Sequence, residues 1–469
     1  MSKPLNPFAR SNQQPVQPAP PNPYLALYGL SRNPFPTGTA IQPHSDDPRT
    51  NGKLYARSLR AQEEQQFIRR FFRPPPGEEA RLGLLGYGGR PYSRGQGKSA
   101  FLYALMRMVH EERLHEGENA LAVFLQPQLR PTKKFWQILR LCWKSLAMPA
   151  QADQRSQLQE VDIFLRARAL TPLLPAERLK AVAAMEPADA NALLLDNQRI
   201  ADELHISIQA LNAEILRILA EAGNGILSSR FADVLREANY TIAQTWRIME
   251  RWSDLRWSRD GAEVFLDGLA AAIVAAGFNR LFVFFDEYEK IFLYQNNQDR
   301  AEFLDGLRNS VFDSDTIASR YSLLRIIIFI HPLVLRDVAG VWRRVGLDRF
   351  LPLDGPHTDM NQILLSDLTE EQLYQLLTTY LDAFRADTND PRRGSIAPFS
   401  NDAFATLVQE SLGIPGYLLA YAHFTLAKAL RSEQAEVSQR IVQDVVAERP
   451  RDTLEEGGIL SLPASDVEL

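Results

Sequence analysis

Cysteine is nearly absent: Cys142 is the single one in 469 residues. That excludes an intrachain disulfide framework and fits a reducing compartment. No run reaches the roughly 20 apolar residues that a membrane helix requires. The longest candidates, around "LAAAIVAAGF" and "RIIIFI", are short and interrupted by charge. The amino-terminal "MSKPLNPFARSNQQPVQPAPPNPY" lacks the apolar segment of a signal peptide. Basicity is lacking too: a net charge of −5 gives no chain-wide attraction to nucleic acid, so any DNA contact must come from a local patch. The seven histidines show no metal-ligand spacing, and no Ser/His/Asp or Cys/His arrangement supports nucleophilic catalysis. The expectation is a cytoplasmic protein with no membrane partner.

What is present is ordinary globular composition, 45% hydrophobic and 23% charged. Residues 1–50 read as an extended segment carrying Asn33-Pro34-Phe35, with the Pro- and Gln-rich start unable to build a core. Residues 51–149 and 258–355 carry continuous apolar runs ("RLGLLGYGG", "NALAVFLQPQ", "RLFVFF", "LLRIIIFI") separated by helical patterns. Such runs are expected of parallel strands buried on both faces, so the two segments read as halves of one three-layer α/β domain. Between them, 150–257 is helical in pattern and reads as an insertion. Residues 356–450 read as a separate all-α unit, and 451–469 as a flexible tail.

The chemistry concentrates at two places. Gly95-Gln96-Gly97-Lys98-Ser99 follows an apolar strand and opens an amphipathic helix. There, backbone N–H groups and the helix dipole face an anion. Gly95, Gln96, Gly97, Lys98, Ser99 and Ala100 are expected to hold the phosphates of ATP, with Lys98 reaching the β- and γ-phosphates and the Ser99 hydroxyl on Mg2+. Tyr92 stands where the full phosphate-loop pattern has glycine. The second place is the end of "LFVFF", where Asp286-Glu287 puts an acidic pair at the carboxyl edge of the sheet, the edge at which open α/β sheets bind ligands. Asp286 is expected to hold the magnesium and Glu287 to orient or deprotonate the attacking water. The alternative is a pair that merely caps the following segment.

This order of strand, G-x-G-K-S loop, helix, D-E strand, third strand and all-α unit resembles the AAA+ P-loop ATPases. The closest resemblance is to the ExeA, TniB and TnsC-like and origin-recognition initiator-like group. "YGLSRNPFPTG" with the helical pattern after it is similar to the opening of the ExeA and TniB type. The resemblance covers about 24–148 and 258–448. It implies an α/β fold with a three-layer parallel sheet, a large helical insertion and an all-α lid, working as a homo-oligomeric ring or filament. It further implies that His331 is a polar sensor of the γ-phosphate, the alternative being a strand-end cap. It implies that Arg349, with Arg343 and Arg344 behind it, reaches a neighbouring subunit's nucleotide. Relatives often carry G-x-P-R in the lid. Here Gly413-Ile414-Pro415-Gly416 lacks that arginine, which puts coupling of lid motion to hydrolysis in doubt.

After the second strand, Arg130, Lys133, Lys134, Arg140 and Lys144 form a basic cluster interleaved with Trp136 and Trp143. Relatives contact duplex DNA in this region. The alternative is a core-packing helix with solvated charges. The expected function is Mg-ATP hydrolysis between subunits in a DNA-associated process (transposition, replication-type loading or phage defence), with an unidentified protein partner on the 150–257 insertion. The rivals are a STAND-like switch with little turnover and an ExeA-like secretion ATPase.

Overall fold

The computed structural model describes residues 22–37, 41–42, 45–87, 95–112, 119–126, 134–149, 155–223, 227–251, 259–288, 291–292, 295–313, 315–330, 332–353 and 361–450. Contacts divide the chain into two compact units, Ala40–Asp367 on the one hand and Met1–Thr39 with Leu368–Leu469 on the other. Among the described residues no helix is long and apolar enough to cross a membrane.

The unit Ala40–Asp367 is built on five parallel strands: β1 (Leu82–Tyr87), β2 (Ala120–Leu125), β3 (Arg280–Phe285), β4 (Leu324–Phe329) and β5 (Gln362–Leu365). Their order across the sheet is β2-β3-β4-β1-β5, with Leu121 opposite Leu281, Val283 opposite Ile326, Leu84 opposite Ile328 and Leu85 opposite Ile363. Because side chains alternate along a strand, one face carries Leu84, Val123, Val283 and Ile326 into a core shared with the helices Phe135–Ala147, Gln157–Leu170 and Arg259–Ala275. The opposite face buries Phe282, Phe284, Ile327 and Ile363 against Phe67, Phe71, Phe72 and the helix Lys98–Glu112. Both faces are covered, which is why the strands read as unbroken apolar runs. This is the expected α/β fold with a P-loop-type parallel sheet and abundant helix.

The segment expected as an insertion is helical, from Gln157–Leu170 through Ala176–Ala183, Pro187–Leu195, Asn197–Leu204, Ile208–Ala222 and Ser229–Glu237 to Ile242–Arg251. Its buried Leu193, Ile215, Phe231 and Trp246 belong to the same continuous core as one sheet face. Gln157 ties it to the outer strand: its amide accepts from the Ala122 N–H at 3.0 Å and donates to the Ala122 carbonyl at 2.8 Å. The side chain thus occupies the edge bonds that another strand would take.

β5 departs from the sequence reading, in which everything after 358 is helical. Its four residues alternate, with Ile363 and Leu365 buried, and they hydrogen-bond to β1. A run that short shows no periodicity of its own. The sheet therefore continues past 355 to Leu365, and the division between units falls at Asp367–Leu368.

The other unit joins the start and the end of the chain. The helices Glu370–Ala383, Asn401–Ser411, Pro415–Arg431 and Gln439–Glu448 pack together. The short helix Pro23–Tyr28 and the Asn33-Pro34-Phe35 turn are built into them. The Phe35 ring lies 6.3 Å from Tyr380 and 6.0 Å from Phe399 between centroids. Asn33 donates to the His423 carbonyl at 3.1 Å, and its own side-chain oxygen accepts from the Phe35 N–H at 3.2 Å.

Candidate active site

The helix Lys98–Glu112 begins directly after two glycines with left-handed backbone, Gly95 at φ +85° and Gly97 at φ +80°. An L side chain is disfavoured at either, and between them Gln96 is only 1% exposed. The Gly97 carbonyl accepts the first helical bond, from Phe101 N–H at 2.8 Å. The N–H groups of the helix's first turn have no partner within the helix, which makes them donors for an anion. Tyr92 lies outside the described residues. The Lys98 ammonium rests 4.4 Å from the centroid of the Phe329 ring, at the carboxyl end of β4.

Asp286 closes the opposite side. It follows β3, donates its backbone N–H to the Leu125 carbonyl at 2.9 Å, and is 1% exposed. Its carboxylate takes a hydrogen bond from the Ser99 hydroxyl, one from Gln126 Nε2 at 3.3 Å, and one from the Glu287 N–H at 3.1 Å. Burial pushes the Asp286 carboxyl above its ordinary pKa, and the Glu287 charge pushes the same way. The Ser99 and Gln126 bonds and the Lys98 charge act against both. The loop and the acidic pair, far apart in sequence, thus meet at one point.

Glu287 has φ +53°, an uncommon conformation for a side-chain-bearing residue. Neighbours hold it there. The next residue, Tyr288, is fully buried, donates its N–H to the Phe329 carbonyl at 3.2 Å, and packs edge-on against Phe285 and Phe292 at 4.9 and 5.0 Å. The turn is therefore pinned at both ends while the Glu287 side chain is left half-exposed at the sheet edge.

The residues fit a hard divalent cation: Ser99 Oγ and the Asp286 carboxylate are adjacent oxygen donors. Magnesium at such sites uses one or two protein groups plus phosphate and water. Among the described residues no group of three or more His, Cys, Asp or Glu forms a cage for a metal ion, and a site of this kind does not require one.

Other expected residues fall elsewhere. His331, Arg130 and Lys133 lie outside the described residues. Arg343 and Arg344 end the helix Pro332–Arg344, and Arg349 ends the turn after it; all three are exposed. The crossover from β4 to β5 returns the chain to the amino ends of the strands, so these arginines stand at the edge opposite the glycine loop. Phe350, beside Arg349, stacks on Phe312 there, and the neighbouring Val311 carbonyl accepts from Arg81, which precedes β1.

On the helix Phe135–Ala147, Phe135, Ile138, Cys142 and Trp143 are buried and Trp136 packs against the same core. Lys134 is ion-paired with Glu302, Arg140 is half-buried and Lys144 is exposed. Trp143 therefore serves the core rather than a stacking surface.

Two contributors escaped the sequence reading. Gln126 follows the β2 run as Asp286 follows β3, and that position alone could have flagged it. Arg60 donates to the Gln96 carbonyl at 3.3 Å from the chain before β1, and no local pattern announces it.

Residues 257–419 match the family model described as BREX system ATP-binding protein BrxC/D. The match spans β3, the Asp286-Glu287 turn, β4 and β5 and runs into the helix Pro415–Arg431. It begins after the glycine loop and covers less than half of the chain. It points to an ATP-binding family and does not single out the ExeA, TniB and TnsC-like grouping. Comparison with curated proteins and with solved structures finds no match.

Proposed function

We propose that this chain is an ATP hydrolase that binds Mg-ATP at Gly95–Ser99 and Asp286 and uses Glu287 as its base. The observation that carries the reading is the hydrogen bond from Ser99 to Asp286, because it joins a phosphate-loop helix to an acidic pair at the ligand edge of a parallel sheet. The match of residues 257–419 to a BREX system ATP-binding family supports ATP as the nucleotide and phage defence as the setting.

In this reading the N–H groups of Gly97, Lys98 and Ser99 cradle the phosphates, and Lys98 leaves the Phe329 face to pair with the β- and γ-oxygens. Ser99 Oγ and Asp286 would hold magnesium, which when bound neutralises charge on the phosphate oxygens. Glu287 accepts a proton from water as the water oxygen bonds to the γ-phosphorus and the β–γ bridging P–O bond breaks, leaving ADP and phosphate. Arg343, Arg344 and Arg349 are exposed, and the resemblance to AAA+ ATPases assigns them to a neighbouring copy's γ-phosphate. Contact with duplex DNA through Arg140, Lys144 and their neighbours belongs to the same proposal.

A second reading is favoured by one feature. Gly416, buried in the first turn of Pro415–Arg431, stands where relatives of the resemblance carry an arginine. A STAND-like switch that binds ATP with little turnover fits that loss. Steady-state turnover over a range of protein concentrations, with and without duplex DNA, separates the two, with Glu287→Gln as the blank. Turnover rising steeply with concentration supports hydrolysis at a shared interface. ATP binding with turnover no higher than the blank supports the switch.

A further inference from the structure

We infer that Arg60 is a positioning residue of the phosphate loop, holding the Gln96 carbonyl outward so that the Gly97 N–H faces the phosphates; this rests on the nucleotide reading of that loop.

Arg60 lies just before the helix Ala61–Phe67 and is 3% exposed. One arm of its guanidinium donates to the Gln96 carbonyl at 3.3 Å. The other donates to Glu63 Oε1 at 3.1 Å and to the Ser366 carbonyl. Glu63, itself 6% exposed, accepts from the Ser366 hydroxyl at 3.0 Å and from the Ser366 N–H at 3.4 Å. The Gln96 side chain donates to Asp367 Oδ1 at 3.2 Å. The peptide between the two glycines is thus gripped from Arg60 at its carbonyl and from Asp367 through its side chain.

The need for that grip follows from the peptide unit. A trans peptide is planar, so a carbonyl and the N–H after it point in opposite directions. Fixing the Gln96 oxygen on the Arg60 side therefore aims the Gly97 N–H the other way, away from Arg60. Gly97 has no side chain to resist rotation of that peptide. A flipped peptide would present a carbonyl oxygen to phosphate, replacing a donor with a repulsive dipole. A charged donor makes a stronger tether than a neutral one, and the Glu63 carboxylate keeps the buried guanidinium compensated.

The test uses the full chain in three forms besides wild type. Arg60→Lys keeps the charge beside Glu63 but loses the fork that reaches both partners. The double variant Arg60→Met with Glu63→Leu removes both charges together, which buried pairs tolerate better than the loss of one. Lys98→Ala sets the level of a lost phosphate grip. Two quantities are read: the melting temperature without ligand, and the affinity for a fluorescent ATP analogue, competed with inorganic tripolyphosphate. The expected result is an affinity about tenfold weaker for ATP analogue and tripolyphosphate alike in both Arg60 variants. For Arg60→Lys the melting temperature stays near that of wild type. Variants that melt lower yet bind both probes with wild-type affinity overturn the inference and leave a structural ion pair. Lys98→Ala binding as tightly as wild type overturns the nucleotide reading of the loop and takes the inference with it.

Discussion

The Ser99 hydroxyl donates a hydrogen bond to the Asp286 carboxylate, so the first turn of the helix after β1 and the carboxyl end of β3 share one buried point. Lys98 and Gln126 converge on the same carboxylate, the first by charge and the second by hydrogen bond at 3.3 Å. Replacing Asp286 by Asn keeps the shape and removes the charge. The expected outcome is near-normal ATP binding without magnesium and loss of the magnesium-dependent gain, read by titrating ATP analogue with and without the metal. A magnesium effect equal to wild type counts against Asp286 as a metal-holding residue.

Glu287 carries both backbone strain and the proposed base. Its φ of +53° costs a side-chain-bearing residue about 1 kcal/mol relative to glycine. Glu287→Gly is therefore expected to melt at or above the wild-type temperature while turnover falls by about a hundredfold or more. A thermal melt and a phosphate-release assay on the same sample check both halves. A large drop in melting temperature would make Glu287 a structural residue first.

Arg349 is exposed, with its guanidinium 5.6 Å from the centroid of the adjacent Phe350 ring and its Nε donating to the Gly346 carbonyl at 3.3 Å. Arg349→Ala is expected to shift stability by no more than about 0.5 kcal/mol while abolishing the rise of turnover with concentration. Mixing Arg349→Ala with Glu287→Gln tests the neighbour directly. Interfaces that combine one partner's Glu287 with the other's Arg349 recover activity that neither variant has alone. No recovery at any mixing ratio places the arginine's action elsewhere.

The Asp390 carboxylate accepts from Arg392 Nε at 2.9 Å, a terminal guanidinium nitrogen at 2.7 Å and the Arg392 N–H at 2.8 Å. These bonds, foremost that with the Arg392 side chain, hold its pKa well below the usual carboxylate range. A folded pKa below the unfolded one means that its contribution is complete above the ordinary value, about 3.9, and is lost as pH falls from there toward the folded value. Denaturant unfolding below about pH 4 is expected to show a shallower acid loss in Asp390→Asn than in wild type. Equal slopes would remove Asp390 from the acid response.

Cys142 is buried at the sheet-facing side of Phe135–Ala147, and burial pushes its thiol far above the ordinary cysteine value. The thiolate is the reactive form, so alkylation at pH 8 should be negligible in native protein and rapid in urea. Fast native labelling would show that this helix opens readily.

Much of the unit Ala40–Asp367 was legible in the residues themselves, because its signals are local. Four strands announce themselves as apolar runs, since burial on both faces demands apolar residues at every position. The glycines beside Gln96 mark a left-handed turn that only their backbone adopts cheaply. Asp286-Glu287 stands out because charge directly after such a run has only the sheet edge to occupy. The basic and aromatic interleaving on Phe135–Ala147 was equally visible but divides differently, since Trp143 lies in the core.

Long-range pairing decided the rest. Gln362–Leu365 is a strand only because β1 offers it partners. Asn33 and Phe35 look like part of a free arm until Tyr380, Phe399 and His423 enclose them. Arg60 reads as one of several arginines in a charged helical stretch, and its role exists only where Gln96 and Ser366 are brought to it. Composition and spacing along the chain determine what each segment tends to become. Which side chain meets which carbonyl depends on closing loops of dozens to hundreds of residues, and no local pattern carries that information.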